Sequence, residues 1–277
     1  MKESGYFDNP ADLGRIEVVD AAGAVVTMPA AAFHAQPPAS TMTLRIGAAV
    51  SLEDAWRALA SNWPELTEVW RRFASPPVRH AGTLVGNLAN GSPIGDSPPI
   101  AIALGASLVL RNGDQARRML LEDFYVDYMK NRLEPGEFVQ AVLIPALPAR
   151  RQVRAYKISK RFDCDISALC AGFAIELDGD TVSAVRLAFG GLAAVVKRAA
   201  AAEAALVGQP WSQASVAAAQ AALAEDFKPL SDMRASAAYR AQVAANLLQR
   251  FWLETRTRDP LPASATSVFA TMTHEEA

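Results

Sequence analysis

The chain has 277 residues, with 27 basic and 29 acidic side chains and a formal net charge of −2. Its 51% hydrophobic and 20% charged content is an ordinary globular balance that excludes a largely disordered chain. The missing basic excess argues against nucleic-acid binding, and at about 150 residues per domain the length suits one large or two ordinary domains.

In chain order, residues 1–30 carry no basic start followed by an apolar stretch, so no secretory signal is visible and a cytoplasmic protein is expected. Ile16–Val19 and Val25–Met28 suit a short hairpin around Ala22-Gly23, and Phe33 to Thr43, with Pro37-Pro38, reads as a loop. Leu44 to Ala49 reads as a buried strand. Ser51 stands three residues before Asp54, a capping-box spacing, which predicts a helix burying Ala55, Trp56 and Leu59. Pro64 fits the first turn of a second helix with Leu66, Val69, Trp70 and Phe73 inward. Residues 74–99, rich in Gly, Pro, Ser and Asn, read as a long loop packed in a pocket. Ile100 to Ala103 opens an apolar segment, helix or strand, and the apolar run Ile100 to Leu110 is only about half a membrane span, so no membrane association is expected. Asn112-Gly113 predicts a hairpin between Ser107–Leu110 and Ala116–Leu120, and Phe138 to Ile144 is a strand ended by Pro145.

Past residue 150, Val153–Ser159 alternates as a half-buried strand, and Asp178-Gly179-Asp180 turns a hairpin between Ser167–Leu177 and Thr181–Phe189. Three alanine-rich helices follow: 193–207, closed by Gly208 and Pro210; 213–226, capped by Ser212; and 232–254, capped by Ser231. The last carries Val243, Leu247 and Phe251 on one stripe with Leu248 and Trp252 beside it. From 258 the chain reads as a frayed tail. Helix and strand mixed without βαβ alternation argue for α+β, with a boundary near 145–152.

Chemistry concentrates in Thr83 to Pro99. Residues 81–95 hold no charged side chain, and Gly82, Gly86, Gly91 and Gly95 allow tight turns with N–H groups forward. With Thr83, Asn87 and Ser92 as donors and Asp96 as an acceptor for hydroxyls, the set suits a nucleotide cofactor; the other reading is a structural loop of several turns. No Rossmann, P-loop or Gly-x-Ser-x-Gly motif is present. The basic run Arg150, Arg151, Arg154, Lys157, Lys160, Arg161 reads as a solvated face, or as one from which Lys157, alternating with Tyr156 and Ile158, faces a cofactor. Cys164 and Cys170 read as a loop thiol and a core residue. Two cysteines and three scattered histidines are too few for an iron–sulfur cluster, a four-thiolate zinc site or a disulfide framework, so no metal site is expected.

Phe73-Ala74-Ser75, Thr83-Leu84-Val85-Gly86-Asn87-Leu88-Ala89-Asn90-Gly91-Ser92-Pro93-Ile94-Gly95-Asp96 and Lys157-Ile158-Ser159-Lys160-Arg161-Phe162-Asp163-Cys164-Asp165-Ile166-Ser167 closely resemble the FAD-binding region of xanthine dehydrogenases. So do Phe189-Gly190-Gly191, Lys197-Arg198 and the run from Ser231 to Arg240. The likeness runs in order from about Leu44 to Glu254, and it is to the flavin portion of a bacterial xanthine dehydrogenase small subunit, in the molybdenum hydroxylase flavoprotein family. It implies an α+β fold: a truncated vanillyl-alcohol-oxidase-type FAD-binding domain, then a carbon-monoxide-dehydrogenase-flavoprotein-like C-terminal domain of antiparallel sheet plus helices. Residues 1–42 are then an irregular N-terminal segment, 43–149 the FAD-binding (PCMH-type) subdomain, 150–257 the C-terminal domain and 258–277 a tail.

The implied function is that of an oxidoreductase of purine catabolism, carrying electrons from iron–sulfur clusters through FAD to NAD. The implied partners are a molybdopterin-binding large subunit and a [2Fe–2S] domain, in an oligomer, so the chain alone is not expected to act on xanthine. By resemblance, Phe73 is a flavin-contacting aromatic, Thr83, Leu84, Val85, Gly86 and Asn87 lie at the FAD diphosphate, Asp96 is the ribose-binding acid and Val139 an adenine-side contact. Lys157 is the lysine beside the flavin ring, and Tyr128 lies over the ring near the nicotinamide site. Two features depart from the family. No cysteine-rich iron–sulfur segment is present, and residues 1–42, whose glycines are Gly5, Gly14 and Gly23, lack a first FAD loop of the Gly-Gly-Thr-Asp type. The alternative is therefore a truncated homologue with weak or no FAD binding, acting as a structural or docking subunit. A third reading, a free-standing NADH-dependent flavin reductase, would turn over NADH with a dye and no partner.

Overall fold

A computed structural model describes residues 13–20, 22, 24–26, 42–148 and 150–266. Strands β1 (Ile16–Val19) and β2 (Val25–Val26) pair as the expected hairpin; Gly23, Thr27, Met28 and residues 33–41 of the expected loop lie outside the described residues. After β3 (Thr43–Gly47), helix α1 (Leu52–Asn62) starts at its predicted cap. The Ser51 hydroxyl accepts from the Asp54 N–H at 3.0 Å and donates to its carboxylate at 2.8 Å. Ala55, Trp56 and Leu59 are buried. Pro64–Leu66 forms a 3-10 turn before α2 (Thr67–Arg72). Leu66, Val69 and Phe73 are buried there, whereas Trp70 is only half-buried, its indole N–H reaching Glu53.

The stretch 74–99 is only in part the expected loop, with 90–96 in turns and most of the rest helical. It folds as α3 (Pro76–Ala81), α4 (Leu84–Ala89) and the start of α5 (Ser97–Ala103). Glycine, asparagine and proline depress helix propensity, but proline at the first helical positions needs no hydrogen-bond donor, and burial of Leu84, Val85 and Leu88 overrides the rest. Ile100–Ala103 is thus helical. The hairpin of β4 (Ser107–Asn112) and β5 (Gln115–Leu120) turns at Gly113 with φ +53°. After α6 (Leu121–Phe124) comes a small hairpin of β6 (Tyr125–Asp127) and β7 (Lys130–Asn131), then β8 (Phe138–Pro145). The first sheet has the order β2-β1-β3-β8-β4-β5, antiparallel throughout.

Strands β9 (Gln152–Ile158), β10 (Leu169–Asp178), β11 (Thr181–Gly190) and β12 (Lys197–Arg198) form a second antiparallel sheet in the order β12-β11-β10-β9. The expected helix over 193–207 shrinks to α7 (Ala200–Ala204), because Lys197 and Arg198 pair with β11 as an edge strand. Helix α8 (Gln213–Asp226) starts at Ser212 as predicted. Helix α9 (Ala237–Thr255) is capped by Ser236, not Ser231. Asp232 is the cause: its Oδ1 accepts from the Arg234 and Ala235 N–H groups and from Arg240 Nη2, drawing this stretch into a turn. On α9, Leu247, Leu248 and Phe251 are buried, with Val243 and Trp252 half-buried. At the start of the expected tail, the Leu261 N–H donates to the Leu253 carbonyl at 2.7 Å; residues 267–277 lie outside the described residues.

Two cores result. One lies between the first sheet, α1–α5 and one face of the second sheet; the other joins the opposite face of that sheet to α7–α9. Every residue of α5 is buried between the sheets. Gly172 of β10 makes this possible, since a Cβ there would lie 2.5 Å from the Pro99 carbonyl oxygen and 2.6 Å from the Ile100 Cα.

Gly172→Ala therefore forces α5 off the sheet and should lower stability by about 1–3 kcal/mol in chemical denaturation. Gly14→Ala, with nothing within 4 Å of the new methyl, should match the unaltered chain. A second prediction concerns acid. Burial pushes the Asp232 carboxyl up, but its hydrogen bonds from the backbone and Arg240 outweigh this and hold it at about 2, against about 3.9 unfolded. Its contribution is full above about pH 4 and vanishes as pH falls through the folded value near 2. Asp232→Asn should be less stable than the unaltered chain at pH 7, and the gap should close toward pH 2.

Candidate functional site

Helix α4 and the turns after it carry the charge-free stretch. Thr83 is the N-cap: its hydroxyl accepts from the Gly86 N–H at 3.1 Å and its carbonyl from the Asn87 N–H at 3.0 Å. Leu84 and Val85 anchor this turn in the core, and the Leu84 N–H donates to the Val50 carbonyl. Gly86 is exposed, and a Cβ there would meet nothing within 4 Å except the Thr83 hydroxyl. Asn87 is half-buried, and its Oδ1 is buried without a partner. With the Gly86 and Asn87 N–H groups already bonded to Thr83, the orphan Oδ1 is an acceptor that a hydroxyl or N–H of a docked molecule would satisfy.

The other expected residues fall around this turn. Val139 lies buried on β8, against which α4 packs. The Tyr125 hydroxyl donates to the Leu88 carbonyl at 2.9 Å and the Asn131 amide to the Ala89 carbonyl at 3.3 Å, mooring the β6–β7 hairpin to the end of α4. Tyr128, at the tip of that hairpin, is 62% exposed. Phe73 ends α2 with its ring 6.0 Å from Trp56 and buried. The carbonyls of Phe73 and Ala74 accept from Arg79 Nη1, and Arg79 Nε lies 2.5 Å from Glu53. Burial raises the Glu53 carboxyl, but its bonds to Arg79 and Trp70 prevail and keep it below the usual range.

Asp96 and Lys157 are brought together as each other's partners. Lys157 Nζ donates to Asp96 Oδ2 at 2.6 Å and to Ser167 Oγ at 2.8 Å, and Ser167 Oγ donates to Asp96 Oδ1 at 2.6 Å. The Lys157 and Asp96 side chains are 1% and 7% exposed. Sequence reasoning assigns no part to Ser167; its partners are 10 and 71 residues away, so no local pattern marks it. Cys170 is a core residue whose thiol is pushed well up by burial and then by the Asp96 carboxylate. Cys164 is an exposed loop thiol, 3.4 Å from the Ala74 carbonyl.

The basic run is not a bare solvated face. Arg150 and Arg151 pair with Glu176, Arg154 with Glu65 and Glu254, and Arg161 with Asp165, while Lys160 donates to the Met233 carbonyl. Two concavities of about 460 and 360 Å³ lie elsewhere. The first is lined by residues such as Glu122, Arg198 and Glu203, the second by residues such as Lys160, Arg234 and Tyr239. Neither includes a residue expected to hold a cofactor. Among the described residues, no helix is long and apolar enough to cross a membrane and no cluster of three or more His, Cys, Asp or Glu could hold a metal.

Comparison with known proteins matches two family models in tandem. Residues 22–147 match the FAD binding domain in molybdopterin dehydrogenase, and residues 154–255 the CO dehydrogenase flavoprotein C-terminal domain. The chain is 32% identical over 186 residues to a xanthine dehydrogenase of Emericella nidulans, covering 66% of this chain and 14% of that protein. It is 29% identical over 187 residues to the carbon monoxide dehydrogenase medium chain of Hydrogenophaga pseudoflava, covering 68% of this chain and 65% of that one. The solved carbon monoxide dehydrogenase from Hydrogenophaga pseudoflava that lacks the Mo-pyranopterin moiety of its molybdenum cofactor superposes with a TM-score of 0.71 at 29% identity, covering 78% of this chain and 75% of the matched one. The chain thus spans under two thirds of these sequence relatives. An α+β chain with an FAD-binding domain followed by a CO dehydrogenase flavoprotein C-terminal domain, this protein belongs to the flavoprotein family of the molybdenum hydroxylases.

Proposed function

We propose that the chain holds FAD along the Thr83–Asn87 turn and serves as the electron-transfer part of a molybdenum hydroxylase. The carrying observation is the exposed Gly86 turn beside the buried, partnerless Oδ1 of Asn87, an acceptor for a ligand hydroxyl or N–H, in a stretch without charge. Thr83, Leu84, Val85, Gly86 and Asn87 would hold the diphosphate, Val139 the adenine side and Phe73 the flavin; Tyr128 would cover the ring at the nicotinamide side. Asp96 would take the ribose hydroxyls and Lys157 would lie beside the ring; without a ligand the two close on each other and on Ser167. Bound FAD supplies the redox chemistry that links iron–sulfur clusters to a soluble acceptor, which we take to be NAD. The chain's own work is to bind and orient: Thr83 fixes the turn, and Gly86 lets the ligand approach the backbone.

The [2Fe–2S] clusters and the molybdopterin centre would sit on partner domains or chains within an oligomer, in keeping with relatives named as medium chains. Xanthine is one substrate that such an assembly would oxidise, and in this reading residues 43–149 and 150–257 are the two working units. A second reading, a docking subunit with weak or no FAD binding, is favoured by one observation: Asp96 and Lys157 are already satisfied by each other and Ser167.

Titration of the purified chain with FAD, followed by flavin fluorescence, separates the two. Saturable binding is expected, weakened about tenfold in Asn87→Leu, the worth of roughly one hydrogen bond. A chain that leaves FAD fluorescence unchanged at all concentrations would support the docking reading.

A further inference from the structure

We propose that the second concavity, of about 360 Å³, is a binding site for a small aromatic phosphate of the mononucleotide class, separate from the cofactor site. Its position follows from strand alternation on β9. Lys157 shares its side of the strand with Val153 and Ala155 of the first core and reaches Asp96 there, whereas its neighbour Ile158 packs against the second core with α7–α9. Ile158 lines the concavity, so the site lies on the face of the second sheet opposite Lys157. Two segments close it: the one after β9, with Lys160, and the turn that leads into α9, with Arg234, Ala235 and Ser236. A volume near the small end of ligand pockets, about 300–1,000 Å³, suits a mononucleotide better than a dinucleotide.

The lining is cationic and apolar and contains no carboxylate. Lys160 Nζ donates to the Met233 carbonyl at 2.7 Å, which places the ammonium at the peptide that joins Met233 to Arg234. This engages one of its three donors, and Lys160 pairs with no carboxylate among the described residues. Arg234 Nη1 finds only the Met233 sulfur, at 3.6 Å, and stands 3.9 Å from Asp232 Oδ2, beyond hydrogen-bond range. The Arg234 main-chain N–H donates to Asp232 Oδ1 at 2.8 Å, which fixes the turn beneath the guanidinium, and the same oxygen is committed to Arg240. Ile158, Ala168 and Ala235 supply the apolar floor. Beside them Tyr239 is 50% exposed, its hydroxyl without a partner among the described residues. A lysine point charge next to an arginine fork recognises phosphate, and an exposed aromatic ring over an apolar floor is a platform for a planar base. The larger concavity offers no such pair, because its Arg198 is already held by Glu122 and Glu203.

The experiment titrates the full chain calorimetrically with UMP, inorganic phosphate and uridine, in the absence and presence of FAD. UMP is the probe because no part of FAD contains uracil. One saturable UMP site is expected, tighter than phosphate or uridine alone and unchanged by FAD. Lys160→Gln and Arg234→Gln should each weaken UMP about tenfold, the worth of roughly one charge-assisted hydrogen bond. Tyr239→Ala should weaken it too, while Tyr239→Phe, keeping the ring, retains affinity. Asn87→Leu, in the cofactor turn, should leave UMP binding as it is. Absence of UMP binding at millimolar concentration, equal affinity for UMP and phosphate, displacement of UMP by FAD, or unchanged affinity in both Lys160→Gln and Arg234→Gln would each overturn the proposal. Failure of FAD to bind leaves these readouts intact, so the cofactor reading and this site fail separately. Should Arg234→Gln not fold, Lys160→Gln decides alone, since Lys160 and Met233 are both exposed and its loss leaves no buried group unpaired.

Discussion

One short helix with no exposed face sets the architecture. Helix α5 is buried along its whole length between two antiparallel sheets, so both halves of the chain must be shaped to receive it. On one side the cost is a missing side chain: Gly172 lets backbone meet backbone at a separation that no β-carbon tolerates. At the other end of the helix, Arg186 Nε donates to the Ile102 carbonyl at 2.9 Å, satisfying a terminal acceptor that water cannot reach easily. Arg186 also pairs with Glu122, which pairs with Arg198, which in turn pairs with Glu203. Burial pulls the Arg186 guanidinium below its ordinary range; Arg198, whose burial acts the same way, is carried above it by its two acidic partners. This network ties α6 of the first half to the second sheet, so the two cores share one seam instead of meeting at a simple plane.

The candidate site is built on α4, which packs on β8 and against α5. Apolar residues of α4 root it in the first core while the polar turn above them carries no net charge. A diphosphate held by neutral donors is recognised by geometry, because backbone N–H groups are directional and lysines are not. The nearest charges in sequence, Asp96 and its partner Lys157, are bonded to each other and to Ser167. The same economy holds at the Phe73 end. Glu53 and Arg79 form a close buried pair, and the arginine's Nη1 donates to the carbonyls of Phe73 and Ala74, the latter in the left-handed region at φ +46°. Burying ion pairs is rarely a gain in itself, but a fully hydrogen-bonded pair fixes the chain path around it.

The sequence by itself determined the features whose causes are local. Asn112-Gly113 and Asp178-Gly179 turn hairpins because only such residues take positive φ cheaply, and both glycines do so, at +53° and +60°. Ser51 and Ser212 start helices because their hydroxyls bond N–H groups three residues on. The uncharged run from Ala81 to Gly95 is likewise legible by composition as a candidate binding segment. Only the tertiary structure decided that Leu84–Ala89 within it is helical, since its residues individually favour turns and the burial of Leu84, Val85 and Leu88 reverses that preference. It also decided the start of α9, where Asp232 bonds Arg240, and the shortening of α7, where Lys197 and Arg198 find the edge of β11. The fate of Asp96 and Lys157 was beyond any local reading. They stand 61 residues apart and look like free ligand groups until folding brings them to 2.6 Å, with Ser167 as the third member. Charge type is written in the chain, but whether a charge faces a ligand or another charge depends on which surfaces burial presses together.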